Sequence, residues 1–200
     1  IDISGIISVT DDGGSSGRLR EGFGILPPGD FRNCLVALSE AEPLLKKLFQ
    51  HRFDGDNPLS GHSFGNLFIL AMEKITGNFE AALEESCKIL NVKGKLIPST
   101  LDQINLEAIM NDGSHIIGES RIQENSSGIK NINLFPKKAI PNPKSIEIIE
   151  KYRVTIFAGV VSFYNVLARL IRETNADVSS IVHPMTGGEP LTEEIERGWL

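Results

Sequence analysis

The sequence predicts an α/β fold with an inserted β-hairpin and a ligand site at the carboxyl ends of its strands. Three observations predict it. An apolar run over residues 3–9 leads straight into Asp11-Asp12-Gly13-Gly14-Ser15-Ser16-Gly17-Arg18-Leu19-Arg20. Ile/Val-rich segments that run into glycine read as buried strands ending at a turn, and open α/β sheets bind ligands outside such strand ends. Residues 154–157, 163–172 and 178–182 have the length and pattern of a strand, a helix and a strand, a βαβ unit. Asn111-Asp112-Gly113-Ser114 lies between apolar segments 106–110 and 115–118, which is a hairpin signal.

The bulk properties narrow the class of partner. A chain of 200 residues can bury about 70% of its unfolded surface without disulfide or metal staples. A net charge of −6 and a pI of about 5.3 argue against non-specific binding to nucleic acid or to an anionic membrane. Cys34 and Cys87 fall in helical apolar patterns and read as core thiols rather than a disulfide or metal pair. No apolar run reaches the ~18 residues of a membrane span. The start, Ile1-Asp2-Ile3, is not a signal peptide. The expected compartment is the cytoplasm, and the expected partner is a small molecule.

The elements follow in order. After the opening loop, Pro27-Pro28-Gly29 makes a rigid turn and Asp30 is placed to cap a helix that begins at Phe31, with Phe31, Cys34, Leu35 and Leu38 as its apolar stripe. Pro43 suits the first turn of a helix over 42–51, with Leu44, Leu45, Leu48 and Phe49 toward the core. A polar loop over 53–59 precedes Gly61-His62-Ser63-Phe64-Gly65-Asn66-Leu67, then an apolar helix over 68–75 closed by Gly77. An amphipathic helix runs over 79–90, and Lys95-Leu96-Ile97-Pro98 reads as a short strand. Ser99-Thr100 is a polar strand end that either faces the ligand cleft or makes a turn. Residues 129–135 are a further strand, 136–143 a linker and 145–150 a short helix.

The loop after the first strand carries the chemistry. Glycines there let backbone N–H groups approach an anion closely. Asp11 and Asp12 suit a ribose hydroxyl, a substrate hydroxyl, a base N–H or a divalent ion. The same residues also suit a solvated strand-to-loop turn. A helix amino terminus after Asp30 adds a second anion-friendly position. Asn66 can cap its helix or offer its amide to a ligand. His62 reads as a structural hydrogen-bonder, because no carboxylate or nucleophile stands at triad-like spacing from it.

These motifs resemble the CofD/YvcK-like family. The resemblance rests on the opening Asp11-to-Arg20 stretch, Pro28-Gly29-Asp30-Phe31-Arg32-Asn33, Leu48-Phe49-Gln50-His51-Arg52-Phe53 and the Gly61-to-Leu67 stretch. It continues through Ile97-Pro98-Ser99-Thr100, Asp112-Gly113 and Gly118-Glu119-Ser120. Together these cover about residues 1–143 in the family's order, and the Asp-Asp-Gly-Gly-Ser-Ser-Gly form is closer to the bacterial YvcK branch. The resemblance implies a Rossmann-like, doubly wound, mainly parallel sheet. It implies binding of a UDP-sugar, notably UDP-N-acetylglucosamine, by a regulatory protein linked to cell-wall precursor supply, cell shape and gluconeogenic growth. It also implies an alternative, a 2-phospho-L-lactate transferase that adds a phospholactyl group to a deazaflavin with magnesium. By motif, the ligand candidates are Asp11, Asp12, Gly13, Gly14, Ser15, Ser16, Asp30, Asn33, His62, Asn66, Ser99 and Thr100. A homodimer is compatible with the family.

Two departures set further expectations. The family's opening strand and Gly-Gly-Gly-Thr-Gly loop are absent, so the chain reads as a single domain over 1–200 that is incomplete at its amino terminus. A third function reading follows, a fragment without binding competence. The tail over 151–200 diverges. It matches the family's later Gly-Pro-Gly-Ser-Leu-Tyr-Thr-Ser loop only at Ser162-Phe163-Tyr164, whereas Asp177-Val178-Ser179-Ser180-Ile181-Val182 echoes Asp2-Ile3-Ser4-Gly5-Ile6-Ile7. On that second reading the tail is a degenerate copy of the missing opening, and its strand over 154–157 takes the central slot beside the strand over 3–9.

Overall fold

The computed structural model describes residues 3–159 and 176–186. The chain divides into two compact units, Ile1–Ser99 and Thr100–Leu200.

The first unit is the α/β part. Its strands β1 (Ser4–Ile7) and β2 (Lys95–Pro98) pair in parallel, with Ser4 opposite Lys95 and Ile7 opposite Pro98. A parallel pair needs a long crossover, supplied here by α1 (Gly14–Phe23), α2 (Gly29–Leu38), α3 (Pro43–Gln50), α4 (Phe64–Thr76) and α5 (Phe79–Ile89). The two strands finish at one edge, where the Ser99 N–H donates to the Ile7 carbonyl at 2.8 Å. That edge is the carboxyl end predicted to carry the site. Leu19, Phe31, Leu35, Phe49, Ile69 and Leu83 are fully buried beneath it. Phe31 and Phe79 meet edge to face, with centroids 5.0 Å apart at 80°, a contact worth about 0.5–1.5 kcal/mol beyond its buried area.

Several boundaries differ from the sequence expectation, each for a local reason. β1 stops at Ile7, although Val9 remains fully buried. The segment over 13–17 is not a free loop: α1 begins at Gly14. The helix expected from Phe31 begins at Gly29 with Pro28 at its N-cap, so Asp30 lies in the first turn, and no side chain caps it. The helix expected over 68–75 begins at Phe64, because the Ser63 hydroxyl caps it by accepting the Asn66 N–H at 3.3 Å. Gly77 closes it as predicted, at φ +87°. In α3, Leu44 and Leu48 face outward, 78% and 41% exposed, and Phe49 alone is buried. The core face of this short helix is fixed by the Phe49 ring, whose centroid lies 5.7 Å from Phe64 and 4.8 Å from Phe68.

The second unit holds the hairpin, as the sequence predicted. β3 (Asn105–Met110) and β4 (His115–Ile117) are antiparallel across the Asn111–Ser114 turn. β5 (Ile129–Phe135) adds to the other side of β3. Alternate residues of β3 are buried, so Leu106, Ala108 and Met110 form a core with Ile132 and with Ile122 of α6 (Glu119–Gln123). After α7 (Pro143–Tyr152), β6 (Ile156–Gly159) and β7 (His183–Thr186) pair in parallel.

The tail corrects two expectations. The strand expected over 178–182 begins only at His183. The Asp177 carboxylate accepts the Ser179 N–H at 3.0 Å and the Ser179 hydroxyl at 2.6 Å. This Asx turn gives the backbone a local alternative to a ladder. Ala158 and Gly159, read as loop, belong to β6. Among the described residues β1 has β2 as its ladder partner and β6 has β7. The helix expected over 163–172 and the Ser162-Phe163-Tyr164 match lie outside the described residues. Cys34 and Cys87 are both free and half-buried.

Candidate functional site

The site is built where the amino termini of α1, α2 and α4 come together in the first unit. Asp11 leaves the β1 edge and turns back on its own chain, its Oδ1 accepting the Gly13 N–H at 2.9 Å. Gly13 is then the N-cap of α1, and the first intrahelical bond runs from the Gly17 N–H to the Gly13 carbonyl at 2.9 Å. The amides of Gly14, Ser15 and Ser16 therefore have no intrahelical acceptor, as in the first turn of any α-helix. The Ser16 hydroxyl accepts the Gly29 N–H at 3.1 Å and ties the start of α2 to the start of α1. A Cβ on Gly29 would lie 2.6 Å from that hydroxyl and 3.2 Å from Asp11 Oδ2. The Asp11 carboxylate thus sits between two helix amino termini, where a negative charge is favoured.

A buried polar chain links α1 to α4. The Ser15 hydroxyl is 2.9 Å from His62 Nδ1 and accepts the Asn66 amide N–H at 3.1 Å. All three side chains are buried. Asn66 Oδ1 is buried and has no hydrogen-bond partner, and the same holds for Arg32 Nε. Unpaired buried polar atoms of this kind are uncommon in native folds and call for an explanation. Arg32 reaches across from α2, donating to the Ser63 hydroxyl and to Asn33 Oδ1, both at 2.7 Å. Arg18 donates to the Ser60 carbonyl at 2.8 Å, and Arg52 donates to the Gly61 carbonyl at 2.5 Å. Three guanidinium groups therefore clasp one four-residue turn.

The charges perturb one another. Burial, with the Asp11 carboxylate, pushes the Asp30 carboxyl above its ordinary range against the pull of Arg32. Burial, followed by Arg18 and Arg52, holds the His62 imidazole below its ordinary value. Burial also lowers Arg20, which the Asp12 and Asp11 carboxylates pull back up. Arg20 donates to the Asp11 carbonyl at 2.9 Å and fixes the exit from β1.

The predicted site residues are placed unequally. Asp11, Gly13, Ser15, Ser16, His62 and Asn66 converge through the bonds just described, Gly14 opens α1, and Asp30 lies in the first turn of α2 within reach of the Asp11 charge. Asn33 enters through Arg32, and Ser99 enters through the β1 edge. Asp12 lies under α1: a Cβ on Gly17 would sit 1.9 Å from the Asp12 carbonyl oxygen. Thr100 belongs to the second unit and is spent on a turn. Its hydroxyl donates to the Ile140 carbonyl and accepts the Asp102 N–H at 3.0 Å. Accordingly, Thr100→Val should lower stability by about 1–2 kcal/mol in a denaturant titration and leave ligand affinity unchanged. The sequence reading gave no role to Arg18, Arg32 or Arg52. A usable signal was present, since Arg18 falls three residues after Ser15, the spacing that puts two helical side chains on one face.

Asp11 already gives one oxygen to Gly13 and Asp12 faces the Arg20 charge. Among the described residues no three His, Cys, Asp or Glu side chains gather as a metal site. No described helix is long and apolar enough to cross a membrane.

A sequence model of the family described as 2-phospho-L-lactate transferase CofD matches residues 1–186. The chain belongs to the CofD family. Two bacterial members of the family are named gluconeogenesis factor. That of Halalkalibacterium halodurans is 47% identical over 171 residues, covering 86% of this chain and 53% of that protein. That of Bacillus subtilis is 46% identical over 171 residues, covering 86% and 54%. The chain thus spans about half the length of these curated relatives. A crystal structure of a Bacillus halodurans protein superposes with a TM-score of 0.78 at 35% identity, over 99% of this chain and 76% of the other. The same protein is described elsewhere as a member of the UPF0052 family. These members set the Rossmann-like α/β reading on firm ground and make the chain a YvcK-type member of the CofD family.

Proposed function

We propose that this chain carries the nucleotide-sugar site of a regulatory protein of the gluconeogenesis-factor type, with a UDP-sugar as ligand. The observation that carries the reading is Asn66 Oδ1: a buried acceptor with no donor, on a side chain whose amide donates to Ser15 in the first turn of α1. A ligand hydroxyl or the imide N–H of a uracil would satisfy it. The free amides of Gly14, Ser15 and Ser16 suit phosphate oxygens, since helix amino termini favour anions. Arg18 and Arg52 supply positive charge beside them. Asp11 and Asp12 offer acceptors for sugar hydroxyls. The reading is one of recognition rather than turnover, supported by acceptors and free amides set for a ligand.

A thermal shift measurement tests this. UDP-N-acetylglucosamine at ~100 times its dissociation constant should stabilise the protein by about 2.7 kcal/mol, a rise of roughly 5–10 °C. Asp12→Ala should lose that rise while its ligand-free melting temperature stays close to wild type. A rise with GDP or with the deazaflavin acceptor, and none with UDP-sugars, would move the assignment to the transferase. No rise with any of them would leave the fragment without binding competence.

A further inference from the structure

The turn over 60–63 is held by three guanidinium groups, two of which act on one imidazole. Arg18 and Arg52 hold the Ser60 and Gly61 carbonyls, and Arg32 holds the Ser63 hydroxyl. Among the described residues no carboxylate stands within ion-pair distance of these arginines. His62 lies in the middle of the turn, 8% exposed, with Nδ1 2.9 Å from the Ser15 hydroxyl. That hydroxyl belongs to the first turn of α1 and also accepts from Asn66, a residue 2% exposed whose own oxygen is buried without a partner. The charged groups that act on His62 are Arg18 from α1 and Arg52 from the segment after α3. Burial, followed by the two cations, holds the imidazole below its ordinary value in the ligand-free protein.

We propose that His62 takes up a proton when a diphosphate-bearing ligand binds at the amino terminus of α1. The inference rests on the nucleotide-sugar reading above and adds how the site matches the ligand's charge. A diphosphate diester carries two negative charges that do not titrate near neutrality. Set among the guanidinium groups, it offsets their charge at the imidazole. An opposite charge within a few ångströms favours the charged form of a titrating group. The imidazolium still satisfies its neighbour, since its Nδ1–H donates to the Ser15 hydroxyl. The proton comes from solvent. Because the bound form holds more protons than the free form, affinity rises as pH falls between the bound and free pKa values of His62. One proton sets the limit of about tenfold per pH unit.

Calorimetric titration with UDP-N-acetylglucosamine as the probe, in PIPES and in Bis-Tris, counts the protons directly. The two buffers have small and large ionisation enthalpies. Wild type should take up a fraction of a proton per ligand, and its affinity should strengthen from about pH 8 to about pH 6, the range in which histidine titrates. His62→Asn keeps a hydrogen-bonding group for Ser15 and cannot titrate. It should bind with no proton uptake and a flat pH profile. Wild-type binding with the same heat in both buffers overturns the inference and leaves the nucleotide-sugar reading standing. No wild-type binding at all overturns both. Should His62→Asn fail to fold, the imidazole ¹³C and ¹⁵N shifts of wild type decide. An ionisation state unchanged by ligand overturns the inference.

Discussion

Gly17→Ala should destabilise the first unit by about 3 kcal/mol, at the upper end of what an overpacked methyl costs. The added Cβ would sit 1.9 Å from the Asp12 carbonyl oxygen and 2.6 Å from its carbonyl carbon. Both clashing partners are backbone, so no side chain can swing away. Either α1 slides along its axis or the β1 exit moves. The exit is fixed by the bond from Arg20 to the Asp11 carbonyl and by the Asp11 turn onto Gly13. Gly22 in the same helix is the control: a Cβ there would meet nothing within 4 Å. Gly22→Ala should therefore stabilise, by up to about 1 kcal/mol of helix propensity. Denaturant midpoints of the two variants should move in opposite directions. A Gly17→Ala protein as stable as wild type would mean that α1 does not lie against Asp12. A destabilised one should also bind the UDP-sugar more weakly, because the amides of Gly14, Ser15 and Ser16 move with the helix.

Asn66→Leu should weaken UDP-sugar binding by about 10- to 100-fold. That range corresponds to the roughly 1–3 kcal/mol attached to an unmatched buried polar group. The substitution nearly conserves shape. It removes an acceptor that is buried without a donor, together with one bond to Ser15. Ser15 keeps His62 as a partner. Losing the orphaned oxygen offsets losing the bond, so the ligand-free protein should melt within a few degrees of wild type. Binding falls while stability holds, the signature of a group kept for ligand rather than for folding. Equal losses in both would make Asn66 a structural residue whose oxygen meets water, and the proposed site would lose its central observation.

Much of the local structure was legible in the residues. Lys95-Leu96-Ile97-Pro98 is β2, Gly77 closes α4, and Asn111-Asp112-Gly113-Ser114 turns the hairpin. Each of these signals acts within a few residues, through a glycine at positive φ, an alternation of burial or a turn-forming Asp. Where several local signals competed, the sequence misled. Leu44, Leu45, Leu48 and Phe49 offer two apolar faces on one short helix, and only packing against Phe64 and Phe68 selects the Phe49 face. Val178 to Val182 has strand character, yet the Asp177 side chain captures Ser179 first.

By itself, the sequence determined the fold class, the order of the elements, the family and the segments proposed for the site: the Asp11 loop, the Asp30 turn and the His62-to-Asn66 stretch. These depend on short-range patterning and on motifs read in register. The tertiary structure decided which of those residues meet. Ser15 and His62 lie 47 positions apart and Ser15 and Asn66 lie 51 apart. Thr100, next to Ser99 in the chain, turns away to Ile140. The clasp of Arg18, Arg32 and Arg52 and the unpaired oxygen of Asn66 belong to that level too. Charge pairing and hydrogen-bond satisfaction are properties of what surrounds an atom once the chain has folded, and the linear sequence does not carry that information.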